Sequence, residues 1–112
     1  MNLVNKKCVP CKGGTPPIEY GEAKKLHEQI PSWQLIEEYK IWRLKKTYKF
    51  KEFAQAMQFV NKVADIAERE GHHPNINIHD WNRVDLEIYT HKIKGLHEND
   101  FILAAKIEQL AL

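Results

Sequence analysis

No stretch of this sequence is apolar for long enough to cross a bilayer. The longest runs, such as residues 101–105, are only a few residues, against the roughly 20 that a spanning helix needs. Residues 1–10 carry two lysines but no apolar segment, so they are not expected to serve as a secretory signal, and a cytoplasmic protein is expected. Cysteine is scarce: Cys8 and Cys11 are the only two, spaced Cys-x-x-Cys. A zinc knuckle would need two more ligands at suitable spacing, and no second Cys-x-x-Cys and no His-x-x-x-His exists. A redox Cys-x-x-Cys should open a helix, whereas Lys12-Gly13-Gly14 and Pro16-Pro17 follow it here. Both thiols read best as exposed groups on an N-terminal arm. Charge of one sign is also nearly absent, the net value being +2. Lys40, Arg43, Lys45, Lys46, Lys49 and Lys51 form a local basic cluster, but without an overall excess direct nucleic-acid binding is not expected.

What is present fits one globular domain. The 112 residues are 43% hydrophobic and 29% charged, too few for two cores and too apolar for disorder. Residues 1–19 hold Pro10, Gly13, Gly14, Pro16 and Pro17 and read as an extended leader, with the domain proper over residues 20–112. A helix begins at Tyr20, pairs Leu26 with Ile30, and stops at Pro31. Aromatic and β-branched residues then predict strands over 33–37 and 39–48, joined by a turn near Glu37-Glu38. Residues 51–70 predict the clearest helix, with Phe53, Met57, Val60, Ala64 and Ala67 stepping along one face as the core stripe. Gly71 supplies the stop and Pro74 prevents resumption. Val84, Leu86 and Ile88 alternate with polar residues as a half-buried strand, paired with residues 75–78 through a turn at 80–82. A last helix over residues 99–110 buries Leu103, Ile107 and Leu110. The order α-β-β-α-β-β-α predicts an α+β fold, a four-stranded antiparallel sheet with helices on one face.

The six histidines are unevenly placed. His72 and His73 sit between a helix stop and Pro74, and His91 follows the best strand. Element ends are where side chains reach a cleft while rigid backbone holds them. Adjacent histidines at such a junction can equally be two exposed polar residues, and spacing alone does not decide between the two. They are an awkward pair for one metal ion, because neighbours in extended chain point to opposite sides. Acid-base chemistry suits imidazole better, since its reference pKa of about 6.5 lets it give or take a proton near neutrality. A dehydration needs both transfers: a proton to the leaving oxygen and a proton off the neighbouring nitrogen.

The string Glu68-Arg69-Glu70-Gly71-His72-His73-Pro74, followed by Trp81, His91 and Asp100, resembles the signature of the pterin-4a-carbinolamine dehydratases. Glu68 stands four before the first histidine, and His91 ten beyond the aromatic Trp81. Trp33, residues 50–57 and Ile107-Glu108-Gln109 extend the likeness over roughly residues 20–111, and the Cys-x-x-Cys leader resembles some prokaryotic members. The resemblance implies dehydration of a 4a-hydroxytetrahydropterin to the quinonoid dihydropterin, in support of tetrahydropterin recycling, with no metal or bound cofactor. It implies catalysis by His72, His73 and His91, pterin contacts from Glu68 and Thr90, a pocket wall shaped by Trp81, and an anchoring role for Asp100 in the last helix. A pterin substrate and a homodimer or homotetramer are expected with it. Gly71 stands where many members carry aspartate, so either a pterin-orienting carboxylate is absent or Glu70 compensates for it. His97 stands where many carry serine or threonine, so Asn99 or Asp100 is expected to cap the last helix instead. His27, His79 and His97 match no family histidine. Two alternatives accompany the dehydratase: a protein-binding or dimerisation module, as in animal members that act as dimerisation cofactors of a homeodomain transcription factor, and an enzyme of another, molybdopterin-related pterin pathway.

Overall fold

The computed structural model describes residues 2–110, so the expected outer limits at residues 1 and 112 lie outside the described residues. Within them the chain forms α1 (Tyr20–His27), β1 (Gln34–Glu38), β2 (Ile41–Lys49), α2 (Phe53–Glu70), β3 (Asn75–His79), β4 (Arg83–Ile88) and α3 (Glu98–Glu108), with 3-10 turns at Leu3–Asn5 and His91–Ile93. The strands make one antiparallel sheet in the order β1-β2-β4-β3. This is the expected α+β arrangement.

Strand alternation decides which sheet face is covered. Leu44 and Tyr48 of β2 and Val84, Leu86 and Ile88 of β4 are buried on one face, where α2 and α3 pack. Trp42 shares that face by its even spacing from Leu44, and Tyr20 of α1 meets its ring at 4.7 Å. All three helices therefore lie on one side. The opposite face is polar and cross-linked by charge: Arg43 bonds Glu87 at 3.0 Å, and Thr47 bonds Asp85 at 2.8 Å.

Several local expectations need correction. The β1–β2 turn falls at Tyr39-Lys40, where both residues take positive φ (53° and 63°). Two successive left-handed residues make the tight hairpin whose twist matches the strands, which displaces the acidic pair Glu37-Glu38 to the strand end. The β3–β4 turn repeats the device at Asp80 and Trp81, φ 48° and 54°. Helix α1 ends at His27 rather than at Pro31, while Ile30 still enters the core at 2% exposure.

The largest correction concerns α2. Its buried residues are Ala56, Phe59, Val63, Ile66 and Ala67, whereas Phe53 and Met57 of the expected stripe are 54% and 37% exposed and Ala64 is exposed. The real stripe is rotated by about one residue from the expected one; both have helical spacing, so periodicity could not choose between them. The rings of Phe50, Tyr48 and Phe59 made the choice, meeting one another at 4.5–6.4 Å beneath the helix.

The leader also belongs to the fold. Leu3 is 1% exposed and part of the core, its N–H donates to Gln29 at 3.0 Å, and Ile18 N–H donates to Leu96 at 2.8 Å. Cys8 is half-buried, unlike the exposed thiol expected of a loose arm.

Candidate active site

Helix α2 delivers the paired histidines by the way it ends. Gly71 takes φ 65° and its N–H returns to Ala67, as does the N–H of His72 at 3.2 Å. Glycine enters this left-handed conformation without the Cβ clash that other residues meet. The chain then turns sharply, and His72 and His73 leave the helix at the mouth of a cleft.

His72 points inward. Its Nε2 lies 2.5 Å from Oδ1 of Asp100, a carboxylate with no exposed surface. The other carboxylate oxygen accepts from the Thr90 hydroxyl at 2.9 Å and from the His97 N–H at 2.8 Å. One buried side chain thus ties the end of α2, the end of β4 and the start of α3 together. With Asp100 ionised, the proton sits on Nε2 and Nδ1 is the ring nitrogen left to accept. His73 lies outside, with its Nε2 at 3.0 Å from Oε2 of exposed Glu68.

His91 arrives from the other side. A Thr90–Gly95 backbone bridge closes the short loop after β4, and Gly95 is required there because a Cβ would lie 2.7 Å from the Pro17 side chain. The His91 ring stacks on Tyr89 at 4.3 Å, and the Tyr89 ring in turn carries the guanidinium of Arg43 at 4.7 Å. Arg43 is fixed by Glu87 and by the Glu38 carbonyl at 2.8 Å. Among the described residues no hydrogen bond to the His91 ring is present, so stacking alone holds it.

These groups line one cleft of about 620 Å³, together with Glu70, Arg69, Lys92, Asn99 and residues 8–11 of the leader. Its size lies within the range of small-molecule sites. His72, His73, His91, Glu68 and Thr90 therefore line one cleft. Asp100 stands directly behind His72 rather than in the cleft. Trp81 does not line it: it is 61% exposed in the β3–β4 turn, so its expected place in the pocket wall is not what the single chain shows.

Three supporting assignments change as well. The cap of α3 is His97 itself, whose Nδ1 accepts from Asn99 N–H at 3.0 Å while Asp100 accepts from His97 N–H. Glu70 is not available to replace the missing aspartate at Gly71, because its carboxylate accepts from Cys8 N–H at 2.9 Å and from Lys106 at 2.8 Å. Burial works against the Glu70 carboxylate, but the Lys106 and Cys8 bonds outweigh it and hold its carboxyl below the ordinary value. Cys8 is moved the other way: burial first, then the Glu70 charge, push its thiol up to about 12. A thiol so seldom ionised is a poor nucleophile and a poor metal ligand at neutral pH.

Sequence reasoning missed Asn99, Tyr89, Arg43 and the leader as parts of this site, and offered Glu70 as a substitute for aspartate rather than as the residue that holds Cys8. Tyr89 and Arg43 meet only through the β2–β4 pairing, and Asn99 meets residues 8 and 9 across some 90 positions of chain. No local pattern marks such contacts.

The comparisons with known proteins agree on one group. The family model described as pterin 4 alpha carbinolamine dehydratase matches residues 16–110. A Rickettsia canadensis relative named for pterin-4-alpha-carbinolamine dehydratase is 54% identical over 107 residues, covering 95% of this chain and 94% of its own. A Methylococcus capsulatus relative of the same name is 47% identical over 110 residues, covering 98% and 94%. Among solved structures, a transcriptional coactivator/pterin dehydratase from Brucella melitensis superposes with a TM-score of 0.72 at 28% identity, covering 82% of this chain and 95% of its own. A pterin dehydratase-like protein described as a RuBisCO assembly factor in the alpha-carboxysome reaches 0.57 at 26% identity, covering 69% and 86%.

Proposed function

Because the chain belongs to the pterin 4 alpha carbinolamine dehydratase family, we propose that its histidine cleft dehydrates a 4a-hydroxytetrahydropterin to the quinonoid dihydropterin and water. The observation that carries this reading is the set of three imidazoles on one cleft, two backed by carboxylates and one without a hydrogen-bonding partner.

The reaction breaks the bond between C4a and the hydroxyl oxygen and removes the proton of the adjacent ring nitrogen, whose electron pair forms the new C=N bond. The oxygen leaves as water once it has gained a proton. Each transfer needs a group that changes protonation near neutrality, and imidazole does so. His72, with Nε2–H bound to Asp100, offers Nδ1 as the base for the nitrogen proton. His73 and His91, at the rim, deliver the proton to the leaving oxygen, and Glu68 orients His73 through its 3.0 Å contact. Thr90 is held by Asp100, so its part is to fix the floor of the cleft. The proton gained by the base and the proton given by the acid balance across the cycle, and in this reading the side chains act without a metal or bound cofactor. We assign this chemistry to the regeneration of tetrahydropterin in the cytoplasm; no helix among the described residues is long and apolar enough to cross a membrane.

The test is stopped-flow dehydration of a synthetic 4a-carbinolamine. His72→Ala, His73→Ala and His91→Ala should each lower kcat/KM by about a hundredfold, the usual worth of a general acid or base. A His73→Ala or His91→Ala protein working at the wild-type rate removes that residue from the mechanism, and a wild-type protein without activity removes the proposal.

A second reading is favoured by one observation: Phe53 and Met57 of α2 and Ile76 of β3 leave apolar surface exposed. Such a surface suits a homodimer or homotetramer, or a protein-binding role such as those the two structural neighbours are named for. The readings separate by complementation: a strain lacking this protein that is rescued by a His72→Ala, His91→Ala double variant needs the surface and not the chemistry.

A further inference from the structure

The family model begins at residue 16, yet residues 8–11 line the same cleft as the three histidines. The hold on this segment is dense. The Asn99 side chain grips both backbone groups of Val9, accepting from its N–H at 2.9 Å and donating to its carbonyl at 2.6 Å. Glu70 accepts from the next amide back, Cys8, and is itself fixed by Lys106. The Cys8 thiol donates to the Asn99 carbonyl at 3.5 Å, Lys6 pairs with Glu98 at 2.9 Å, and Leu3 is sunk in the core. Asn99 is 2% exposed and adjoins Asp100, so one turn of α3 positions both the leader and His72.

Amid this hold one feature stays open. Val9 is an apolar side chain left 56% exposed, followed by exposed Pro10, on the wall of a cleft otherwise lined mainly by charged and polar groups. A two-point clamp on the backbone of a residue whose apolar side chain stays more than half exposed is the arrangement of a surface kept ready for a ligand. Proline adds stiffness by fixing its own φ.

We propose that residues 8–11 are part of the pterin-binding site: a clamped apolar wall, centred on Val9 and Pro10, that contacts the part of the pterin lying away from the histidines. Resting on the dehydratase reading, this assigns the wall to substrate selection. The reacting carbon must lie among the imidazoles, so the wall meets the far side of the ring and the substituent it carries. Its contacts are the same before and during reaction, and such uniform binding lowers KM without raising kcat.

The experiment uses the full chain and two readouts: calorimetric binding of a 6-substituted 7,8-dihydropterin, and KM and kcat for the synthetic 4a-carbinolamine. Val9→Asp puts a charge in the wall at an exposed position, where the fold tolerates it. It should weaken dihydropterin binding and raise KM by about tenfold, with kcat changing far less, and Val9→Ile should behave as the wild type. In an Asn99→Ala background the wall is unclamped, so Val9→Asp should add less than twofold, a non-additivity that separate roles would not produce. Wild-type binding and KM in Val9→Asp overturn the inference while leaving the histidine chemistry intact. Full additivity of the two substitutions overturns the clamp. A wild-type protein that neither binds the dihydropterin nor dehydrates the carbinolamine overturns the proposed function itself, and this inference with it.

Discussion

Asp100 shows how a single side chain can organise a site without lining it. It has no exposed surface and engages three groups from three segments: the His72 ring, the Thr90 hydroxyl and the His97 amide. Asp100→Asn keeps the size but places an amide donor against one of three donors, which leaves the His72 tautomer unspecified. We expect a loss in kcat/KM approaching that of His72→Ala, with destabilisation of about 1–3 kcal/mol from the unmatched buried donors, read by kinetics and a denaturant melt. Cys8 offers a separate check. With its thiol pushed up to about 12, it should resist iodoacetamide at pH 8, and Glu70→Gln, which removes the neighbouring charge, should speed its alkylation by several-fold, as mass spectrometry would show. Glu70 itself sets a pH dependence. Its folded carboxyl lies below the ordinary 4.5, so its contribution is complete above that value and is lost as pH falls through the lowered folded one. Exchange protection of the Cys8 amide should therefore collapse in that acid range before the core amides exchange; equal protection in Glu70→Gln would contradict it. At this scale the signature residues were legible because they fall on one short string. The roles of Asn99 and Glu70 were not, because their partners are the distant Val9 and Cys8.

The elements divide into those whose ends carry information and those whose faces do not. The stop of α2 was readable at Gly71, since a left-handed residue there is best met by glycine. The face of α2 was not, because Phe53, Met57, Val60 and Ala64 form one apolar row and Ala56, Phe59, Val63 and Ile66 form another. The core covers the second, and of the first only Val60 packs against it. The loop after β4 depends on Gly95, where a Cβ would fall 2.7 Å from Cβ and 2.9 Å from Cγ of Pro17. Gly95→Ala must push the leader off this loop. We expect a cost of about 1–3 kcal/mol by overpacking, visible as a lowered Tm, together with reduced activity as His91 shifts. Pro17→Ala should not restore the loss, because the proline's own Cβ is the closer clash.

The whole molecule has one sheet face closed by helices and one latticed by charge, and part of its exposed apolar surface is the outer row of α2, with Phe53 and Met57. If that row joins copies of the chain, Phe53→Glu with Met57→Glu should reduce the mass found by light scattering while helicity and Tm change little, since neither side chain belongs to the core. An unchanged mass for an oligomeric wild type would move the interface elsewhere, and a monomeric wild type would end the idea. The amino-acid sequence by itself determined the element order, the antiparallel sheet and the placing of His72, His73 and His91 at element ends, because alternation, helix stops and a short signature are local and survive being read in one dimension. It could not determine which row of α2 is buried, that Asp100 is the hub behind His72, or that the leader forms a wall of the cleft. Those follow from docking α2, α3 and residues 3–18 against one another: each depends on contacts between positions some tens of residues apart, and only the folded chain brings such positions within hydrogen-bonding distance.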